Sequence, residues 1–239
     1  MDQTPIEILH QDADIVVCVK RPGMVSEAGG KNSLLDALTA QLSEQGSDVT
    51  LYPIHRLDRE VGGVMVFAKT AESAAALSRQ IQQDAFRKRY FAVLCGIPEF
   101  GDNTLCDLLY HDKNKNKTYV VKKERRGVRR AVLDYRVVAY AKYGEQDVSL
   151  VDVLLHTGRT HQIRAQFASR RLPLFGDGRY GGIRGGSMGL WSYRLCFEHP
   201  TGGEAVAFEK YPPVSELPFE LFGDVMEKYK KVRESLRGL

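Results

Sequence analysis

The sequence predicts an α+β fold built on a mixed, largely antiparallel β-sheet with flanking helices. Candidate strands outnumber candidate helices, and the regular strand–helix alternation of a parallel α/β sheet is absent. The 239 residues are 43% hydrophobic and 27% charged, which provides enough apolar surface for a sizeable core. No repeat or long linker divides the chain, so we expect residues 1–239 to form a single domain.

The first half of the chain contains strand candidates that alternate with two helices. Ser33 and Asp36 form a start typical of a helix, and the apolar positions that follow recur at helical spacing. Apolar runs bounded by turn residues such as Pro22-Gly23 predict the strands. The predicted strands are 15–21, 64–69 and 89–96, and the predicted helices are 33–46 and 70–86.

The second half of the chain is richer in strands. In residues 148–156 valine and leucine occupy both sets of alternate positions, which is typical of a strand inside a sheet. The other predicted elements are a strand at 131–140, a short helix at 160–172 opened by Thr160, a hairpin joining 193–200 to 204–213, and a closing amphipathic helix that includes Phe222 and Tyr229.

The strongest local charge lies in the connection between Gly101 and Ala131. Residues 113–130 carry nine Lys or Arg against one acid, Glu124, in a chain whose net charge is only +4. The connection is too long for a plain turn in a compact domain, and such segments are usually functional or disordered. Residues 101–130 are thus either a solvated, mobile hairpin or a hairpin that contacts nucleic acid.

Composition excludes several classes of protein. No stretch reaches the roughly 18 apolar residues of a membrane helix, and the N-terminus lacks the basic and apolar regions of a secretory signal. We therefore expect a cytoplasmic protein without a membrane partner. The cysteines are scattered and form no Cys-x-x-Cys pair, so we expect buried free thiols and no metal site. They are Cys18, Cys95, Cys106 and Cys196.

Residues 54–70, IHRLDREVGGVMVFAKT, place Asp58 between Arg56 and Arg59 directly before an apolar strand. Nearby guanidinium groups favour the ionised form of a carboxylate, which suits nucleophilic or charge-stabilising work better than proton donation. Taken alone, the pattern more often describes a surface turn whose aspartate pairs with a neighbouring arginine.

A second polar cluster opens the short helix predicted in the second half of the chain. Arg159, His161, Gln162 and Arg164 crowd its first turns. Cations near a helix N-terminus oppose the macrodipole, so Arg159 needs an anionic partner, which Asp58 or an RNA phosphate would supply. Such a break of a local rule tends to mark a functional site.

Five short motifs follow one another along the chain in a fixed order. They are His-Arg-Leu-Asp-Arg at 55–59, Lys-x-Tyr at 88–90, Thr-Gly-Arg-Thr-His-Gln-Ile-Arg at 157–164, Gly-Asp-x-x-Tyr-Gly at 176–181, and His-Pro at 199–200. In this order they closely resemble the RluA family of RNA pseudouridine synthases. The resemblance extends from about Ile6 to Pro213 and is far more specific than any one motif.

The resemblance implies a pseudouridine synthase fold with a central catalytic cleft, and an isomerase that needs no cofactor or metal. It implies that Asp58 is the essential catalytic aspartate and that Arg164 forms an ion pair with it. It implies that Tyr90 packs against the target uracil and helps to remove its C5 proton. The motif positions expected to bind the substrate are His55, Arg56, Arg59, Arg159, His161 and Gln162.

Three positions depart from the family pattern. Val61-Gly62 replaces Thr-Ser, which removes two hydroxyl groups just after Asp58. Gln166 stands where histidine is frequent, and His156 stands where proline is common. We expect the first departure to change the turn or a backbone contact, because it lies beside the aspartate.

The expected function is therefore the isomerisation of uridine in structured ribosomal or transfer RNA by a monomer, with no DNA partner. The small N-terminal RNA-binding domain of many relatives is not expected, so residues 101–130 are expected to contribute to recognition. One alternative is an RNA-binding module without catalysis. Another is a nucleoside or glycoside hydrolase that uses Asp58, for which Asp177 is the candidate second carboxylate. A zinc deaminase is disfavoured, because its cysteine and histidine motifs are missing.

Overall fold

The computed structural model describes residues 4–29, 32–47 and 49–235. The strands are β1 (Ile8–Gln11), β2 (Ile15–Lys20), β3 (Tyr52–Pro53), β4 (Gly62–Ala68), β5 (Arg87–Cys95), β6 (Asp102–Asp112), β7 (Lys117–Val121), β8 (Val128–Tyr143), β9 (Gln146–Leu155), β10 (Leu190–Glu198) and β11 (Ala205–Glu209). The helices are α1 (Leu34–Glu44), α2 (Ala71–Gln82), α3 (Gln162–Ala168) and α4 (Gly223–Ser235), and a 3-10 turn at Phe219–Phe222 precedes α4. Strands predominate, and the predicted α+β class is confirmed.

The chain divides into two compact units. The first comprises residues 1–89 and 191–210, and the second comprises residues 90–190 and 211–239. Each unit is therefore built from two separate stretches of the sequence.

The first unit is a mixed sheet in which β1, β2, β4, β10 and β11 lie side by side. The pairs are antiparallel except for β4 and β10, which run parallel where Gly62-Gly63 meets Trp191-Ser192. β2 and β4 are buried along their whole length, so they form the centre of this unit. The prediction of a mixed, largely antiparallel sheet is confirmed.

The core of the first unit lies between α2 and the central strands. Phe86 stacks on Phe197 with ring centroids 4.9 Å apart, and aromatic pairs of this kind add to the stability gained by burial alone. The buried members of the cluster are Ile15, Val17, Val64, Val66, Ala68, Leu77, Phe86, Leu195 and Phe197.

Both helices of the first unit begin at the capping residues that the sequence predicts. Ser33 Oγ accepts a hydrogen bond from Asp36 N, and Thr70 Oγ1 accepts one from Ser73 N, each at 3.1 Å. α2 ends earlier than predicted, because the chain adopts a left-handed conformation at Asp84 (φ 56°) and turns back toward the core.

The second unit is built on a sheet in the order β5-β9-β8-β6-β7. The pairs from β9 to β7 are antiparallel. β9 lies between β5 and β8 and is buried over most of its length, as predicted for a strand inside a sheet. The closing helix α4 also forms as predicted, and it buries Met226.

The long connection after Gly101 is regular structure and not a loop. β6 and β7 form the expected hairpin, and β8 joins them to complete a three-stranded meander. The expected hairpin is therefore present, although the sequence analysis did not identify β6 as a strand. β6 was missed because it begins with the exposed polar residues Asp102, Asn103 and Thr104, and its pairing with β8 outweighs their low strand propensity.

Two expectations from composition can be compared with the structure. No helix among the described residues is long and apolar enough to cross a membrane. The four cysteines are free, as expected, but only Cys18 is fully buried, and Cys106 is exposed. Burial raises the pKa of the Cys18 thiol to about 12, so this residue behaves as a small apolar side chain.

Candidate active site

Asp58 lies on a turn that leads directly into β4. β2 occupies one edge of β4, while β3 and β10 share the other edge at opposite ends of the strand. Residues 54–61 therefore connect the β3 segment, which pairs with the end of β4, to the start of β4 at Gly62. Val61 N donates to Asp58 O at 3.0 Å and closes the turn, and the Asp58 side chain remains partly exposed. A carboxylate in this setting is held by the main chain and can reach solvent.

The two arginines beside Asp58 lie at the surface. Arg56 Nη1 is 3.5 Å from Glu27 Oε1, and Arg59 Nε donates to Gly23 O at 3.2 Å. Both side chains are more than half exposed, so these contacts add little stability. Exposed guanidinium groups are well suited to meet phosphates, and the predicted substrate-binding role of both residues stays a prediction.

His55 is only partly exposed, and its ring packs against the core of the first unit. Its Nε2 accepts a hydrogen bond from Val66 N at 3.4 Å, and its ring lies 5.8 Å from that of Phe86. Burial lowers the pKa of His55 to about 3, with a smaller contribution from the charge of Lys88, so the ring is neutral at physiological pH. The contacts of His55 are those of a packing residue, and its expected role in substrate binding stays a prediction.

Three residues that the sequence analysis overlooked make hydrogen bonds to the main chain on either side of Asp58. They are Lys20, Gly23 and Ser26, which bond to the backbone of Leu57 and Arg59. The sequence did contain a signal for a structural role here, because Lys20 ends an otherwise apolar strand and a Pro-Gly turn follows it.

Tyr90 belongs to β5, and only 5% of its surface is exposed. Strand periodicity puts Lys88 and Tyr90 on the same face of β5, and Lys88 is equally buried. Burial lowers the pKa of Lys88, and the carboxylate of Asp84 opposes this shift. The Tyr90 ring is thus mostly covered, and its contact with a uracil stays a prediction.

Arg164 forms a buried, bidentate ion pair with Asp177. Its Nε donates to Asp177 Oδ2 at 2.6 Å and its Nη2 donates to Asp177 Oδ1 at 2.9 Å. Arg164 is 6% exposed and Asp177 is 1% exposed. The guanidinium carbon also lies 5.1 Å from the centre of the Tyr180 ring. These contacts hold the guanidinium plane in one orientation, and the expected ion pair between Arg164 and Asp58 stays a prediction.

The turn that carries Asp177 depends on glycine at two positions. Gly176 has φ 75°, and a Cβ atom there would collide with Ser187 O. A Cβ atom at Gly182 would collide with Leu174 O. The backbone closes tightly as a result, and Gly182 N donates to Asp177 O at 2.9 Å.

α3 begins at Gln162 and not at Thr160, which corrects the predicted start of the helix. Its N-cap is His161, in the left-handed conformation (φ 53°) and without a capping side-chain bond. Gln162 takes the polar role at this helix end. Its Oε1 accepts hydrogen bonds from Thr157 Oγ1 at 2.8 Å and from Arg159 N at 3.1 Å.

The other polar residues at the start of α3 contact protein groups. Arg159 Nε donates to Arg130 O at 3.1 Å, so a carbonyl oxygen is one of the partners that this cation requires. His161 Nδ1 is hydrogen-bonded to Tyr180 Oη at 3.2 Å, and both His161 and Gln162 are buried. The predicted contacts of these residues with substrate stay predictions.

The basic hairpin is attached to the same turn. Tyr180 Oη accepts a hydrogen bond from Thr118 N at 2.8 Å and donates to Thr118 O at 3.1 Å. Lys117 Nζ donates to Arg179 O at 2.7 Å. The remaining cations of the segment are exposed: Lys113, Lys115, Lys122, Lys123, Arg125, Arg126, Arg129 and Arg130.

Comparison with known proteins identifies the family. The RNA pseudouridylate synthase family profile matches residues 14–169. The chain is also 33% identical to an uncharacterized RNA pseudouridine synthase of Aquifex aeolicus, over 89% of this chain and 71% of that protein. The chain belongs to this family.

Two further relatives define the extent of the likeness. Ribosomal large subunit pseudouridine synthase D of Neisseria meningitidis serogroup B is 32% identical over 85% of this chain, which spans only 57% of that protein. The solved structure of human RNA Pseudouridylate Synthase Domain Containing 1 has a TM-score of 0.73 at 21% identity, with 90% of this chain and 86% of that chain covered. The predicted fold is confirmed, and the predicted enzyme class is confirmed at the level of the family.

The first departure from the family motif has a steric cause. The ring of Trp191 lies where a Cβ atom on Gly62 would stand, and Gly63 (φ 123°) would bring a Cβ atom into the main chain of Ser192. Val61 is 2% exposed. In this member of the pseudouridine synthase family, the position after Val61 is therefore glycine because β10 approaches closely.

The residues at the other two departures, Gln166 and His156, both make hydrogen bonds to neighbouring protein groups. Gln166 is fully buried, and its Nε2 donates to Asp107 Oδ2 at 2.8 Å. His156 N donates to Val132 O at 3.2 Å, a bond that a proline has no hydrogen to make. His156 Nε2 is also hydrogen-bonded to Asp134 Oδ2 at 2.7 Å.

Proposed function

We propose that this chain isomerises uridine to pseudouridine in large-subunit ribosomal RNA, with Asp58 as the group that acts at the ribose. Family membership carries the proposal, because the motif at 55–59 is intact and its aspartate lies partly exposed on a turn. Relatives named ribosomal large subunit pseudouridine synthase D support ribosomal rather than transfer RNA as the substrate.

The reaction needs groups that act at the sugar and at the base. The N1–C1′ bond breaks, C5 joins C1′, C5 loses a proton and N1 gains one, so no oxidant or reductant takes part. A carboxylate such as Asp58 can attack C1′ or stabilise the positive charge that develops at the ribose. Both routes require an ionised side chain that the substrate can reach.

The target base has to leave the RNA stack before this chemistry begins. In our proposal Tyr90 supplies the aromatic surface for the displaced uracil, and Arg164 is the basic partner of Asp58. The two hydrogen bonds that Arg164 donates to Asp177 support this role, because they fix the orientation of the guanidinium before substrate arrives. The residues proposed to assist substrate binding are His55, Arg56, Arg59, Arg159, His161 and Gln162.

RNA contact is assigned in this proposal to the exposed cations of residues 101–130. The hairpin is attached to the Asp177 turn through Tyr180, and it projects eight exposed Lys or Arg. Neutralisation of phosphates by such cations releases counterions, so binding should weaken steeply with salt. Recognition would then depend on the shape of the RNA and on displaced bases.

The hydrolase alternative receives no support from the surroundings of Asp177. A glycosidic hydrolase generally requires a second carboxylate as acid or base near the first. Asp177 is buried and both of its oxygens accept hydrogen bonds from Arg164. It therefore resembles a structural ion-pair partner rather than a proton donor.

Mapping of pseudouridine in ribosomal RNA tests the proposed function. Unmodified large-subunit RNA incubated with the protein should gain pseudouridine at defined positions, and Asp58→Asn should abolish this gain while the variant still binds the RNA. Turnover by Asp58→Asn at the wild-type rate would refute the role of Asp58. Release of free uracil would favour the hydrolase, and RNA binding without any product would favour a binding module.

We propose a single catalytic domain over residues 1–239, a monomer, a cytoplasmic location and catalysis without a cofactor. Light scattering during size-exclusion chromatography checks the monomer, and full activity after treatment with a chelator checks the independence from metal ions.

A further inference from the structure

Lys20 ends β2 with a side chain that has no exposed surface. Its Nζ donates to three carbonyl oxygens, those of Met24 at 2.7 Å, Arg59 at 3.0 Å and Arg21 at 3.2 Å. An ammonium group has three hydrogens to donate, so these bonds use all of them. Because burial of an unpaired cation is very costly, the arrangement satisfies Lys20 only while the Arg59 carbonyl stays in place.

The main chain after Asp58 is held by a second bond from the same segment. Gly23 N donates to Arg59 O at 2.8 Å, so this carbonyl oxygen accepts from both Gly23 and Lys20. A glycine suits this position, because its backbone has φ 86°.

The main chain before Asp58 is held by Ser26. Ser26 Oγ donates to Leu57 O at 2.9 Å and accepts a hydrogen bond from Leu57 N at 3.0 Å. Ser26 is 4% exposed, so water does not compete well for these bonds. Both peptide neighbours of Asp58 are thus attached to the segment 20–26.

The charge of Lys20 is coupled to the same turn. Burial lowers the pKa of Lys20 to about 8, and the nearby carboxylates of Glu60 and Asp58 oppose this shift while Arg59 adds to it. Below this pKa Lys20 carries a buried positive charge, and its ammonium group is bonded to the Arg59 carbonyl of the turn. RNA phosphates cannot reach this group, since it has no exposed surface.

We propose that Lys20 and Ser26 are positioning residues that hold the Asp58 carboxylate in the orientation needed for attack at the ribose. The inference rests on the proposed function, since it assigns a purpose to the rigidity of the Asp58 turn. Neither residue touches the substrate in this proposal; both act through the backbone of Leu57 and Arg59.

Three variants test the proposal. Lys20→Met removes the ammonium group and Ser26→Ala removes the hydroxyl group, each with little change in volume. Lys69→Met is the matched control, because Lys69 Nζ also donates to a carbonyl oxygen of the first unit, that of Asp12 at 2.5 Å, away from the Asp58 turn. If Lys20→Met does not fold, the smaller change Ser26→Ala still decides the question.

The first measurement is turnover of large-subunit ribosomal RNA that carries tritium at C5 of uridine, since isomerisation releases this hydrogen to water. We expect Lys20→Met and Ser26→Ala to lower kcat by about tenfold or more and to change KM by less than about threefold, because small displacements of a reacting group are costly. Lys69→Met should leave both constants unchanged. Wild-type kcat in both test variants, or a loss confined to KM, would overturn the proposal.

The second measurement is amide hydrogen exchange in residues 55–61, which does not depend on activity. Exchange should be faster in Lys20→Met and Ser26→Ala than in the wild type and in Lys69→Met, because the bonds to Leu57 and Arg59 are lost. Unchanged exchange would show that Lys20 and Ser26 do not hold the Asp58 turn, and the proposal would be wrong. If exchange is faster in the two variants but the wild-type protein is inactive on RNA, Lys20 and Ser26 do hold the turn and the proposed function is wrong.

Discussion

Asp58 and Asp177 are the two carboxylates that the sequence offers for chemistry, and their surroundings are opposite. The Asp58 side chain is partly exposed, and the residues on both sides of it are bonded through their main chain. Asp177 is 1% exposed, and both of its side-chain oxygens accept hydrogen bonds from Arg164. Both residues lie on turns held by main-chain hydrogen bonds, but only the Asp177 side chain is sealed from solvent in a buried ion pair.

The difference shows how a structure separates an available carboxylate from a structural one. A side chain bonded at both oxygens and sealed from solvent stabilises its partner but is poorly placed to meet a substrate. A partly exposed side chain on a turn that is held through its main chain stays in a defined place and can still meet a substrate. Asp58 has the second arrangement, which is what a residue acting at a ribose needs.

Asp177→Asn should produce the largest loss of stability. It removes the negative partner of a buried guanidinium, and breaking such a pair typically costs about 3–5 kcal/mol. Asp58→Asn, at a partly exposed position, should cost about 1 kcal/mol or less. Urea denaturation followed by circular dichroism measures both free energies of unfolding.

The contrast between the two aspartates would be wrong if both substitutions lowered the free energy of unfolding by similar amounts. Arg164→Gln combined with Asp177→Asn sharpens the test, because the double variant no longer buries an unpaired charge. It should recover part of the loss, and a strictly additive result would show that the two side chains do not stabilise each other.

Gly62→Ser should have the next largest effect on stability. Gly62 begins β4, the strand that follows the Asp58 turn. The substitution restores the hydroxyl of the usual family motif, but the added Cβ atom would collide with the ring of Trp191. We expect Gly62→Ser to lower the free energy of unfolding by about 1–3 kcal/mol, as at other overpacked sites. Gly101→Ser is the matched control, since a Cβ atom there meets nothing within 4 Å.

A double variant identifies the cause of that loss. Trp191→Leu makes room beside Gly62, so Gly62→Ser should cost less in that background than in the wild type. Equal costs in both backgrounds would mean that the Trp191 ring does not determine the choice of glycine.

Much of the fold could be predicted because its signals are local. Ser33 and Thr70 begin their helices as expected, because each hydroxyl accepts a hydrogen bond from a backbone N–H only three residues further along the chain. β6 was missed because its polar start forms a strand only through pairing with β8. α3 starts later than predicted because the left-handed backbone of His161 depends on tertiary contacts, including the bond to Tyr180.

The sequence proposes residues for the candidate site but does not reveal the contacts that hold them in place. Asp58 was identified from a contiguous motif, which needs no tertiary information. The pairing of Arg164 with Asp177 and the bond from Lys20 to the Arg59 carbonyl join residues 13 and 39 positions apart. Contacts over such separations leave no periodic signal in a single sequence, so they appear only in the folded chain.

The smallest predicted effect concerns RNA binding by the basic hairpin, which tests whether binding and chemistry lie in different regions. Lys123→Gln and Arg126→Gln each remove one exposed cation, and each should reduce the slope of log affinity against log salt by about 0.7–0.9. Lys142→Gln is the control, because Lys142 is exposed outside the hairpin and pairs with Asp147 at 3.2 Å.

Titration of ribosomal RNA at several salt concentrations measures the slope, and kcat at saturating RNA should stay at the wild-type value. A slope that falls equally in all three variants would show that the hairpin has no special part in binding, whereas a fall in kcat would show that its cations also act in the chemistry around Asp58.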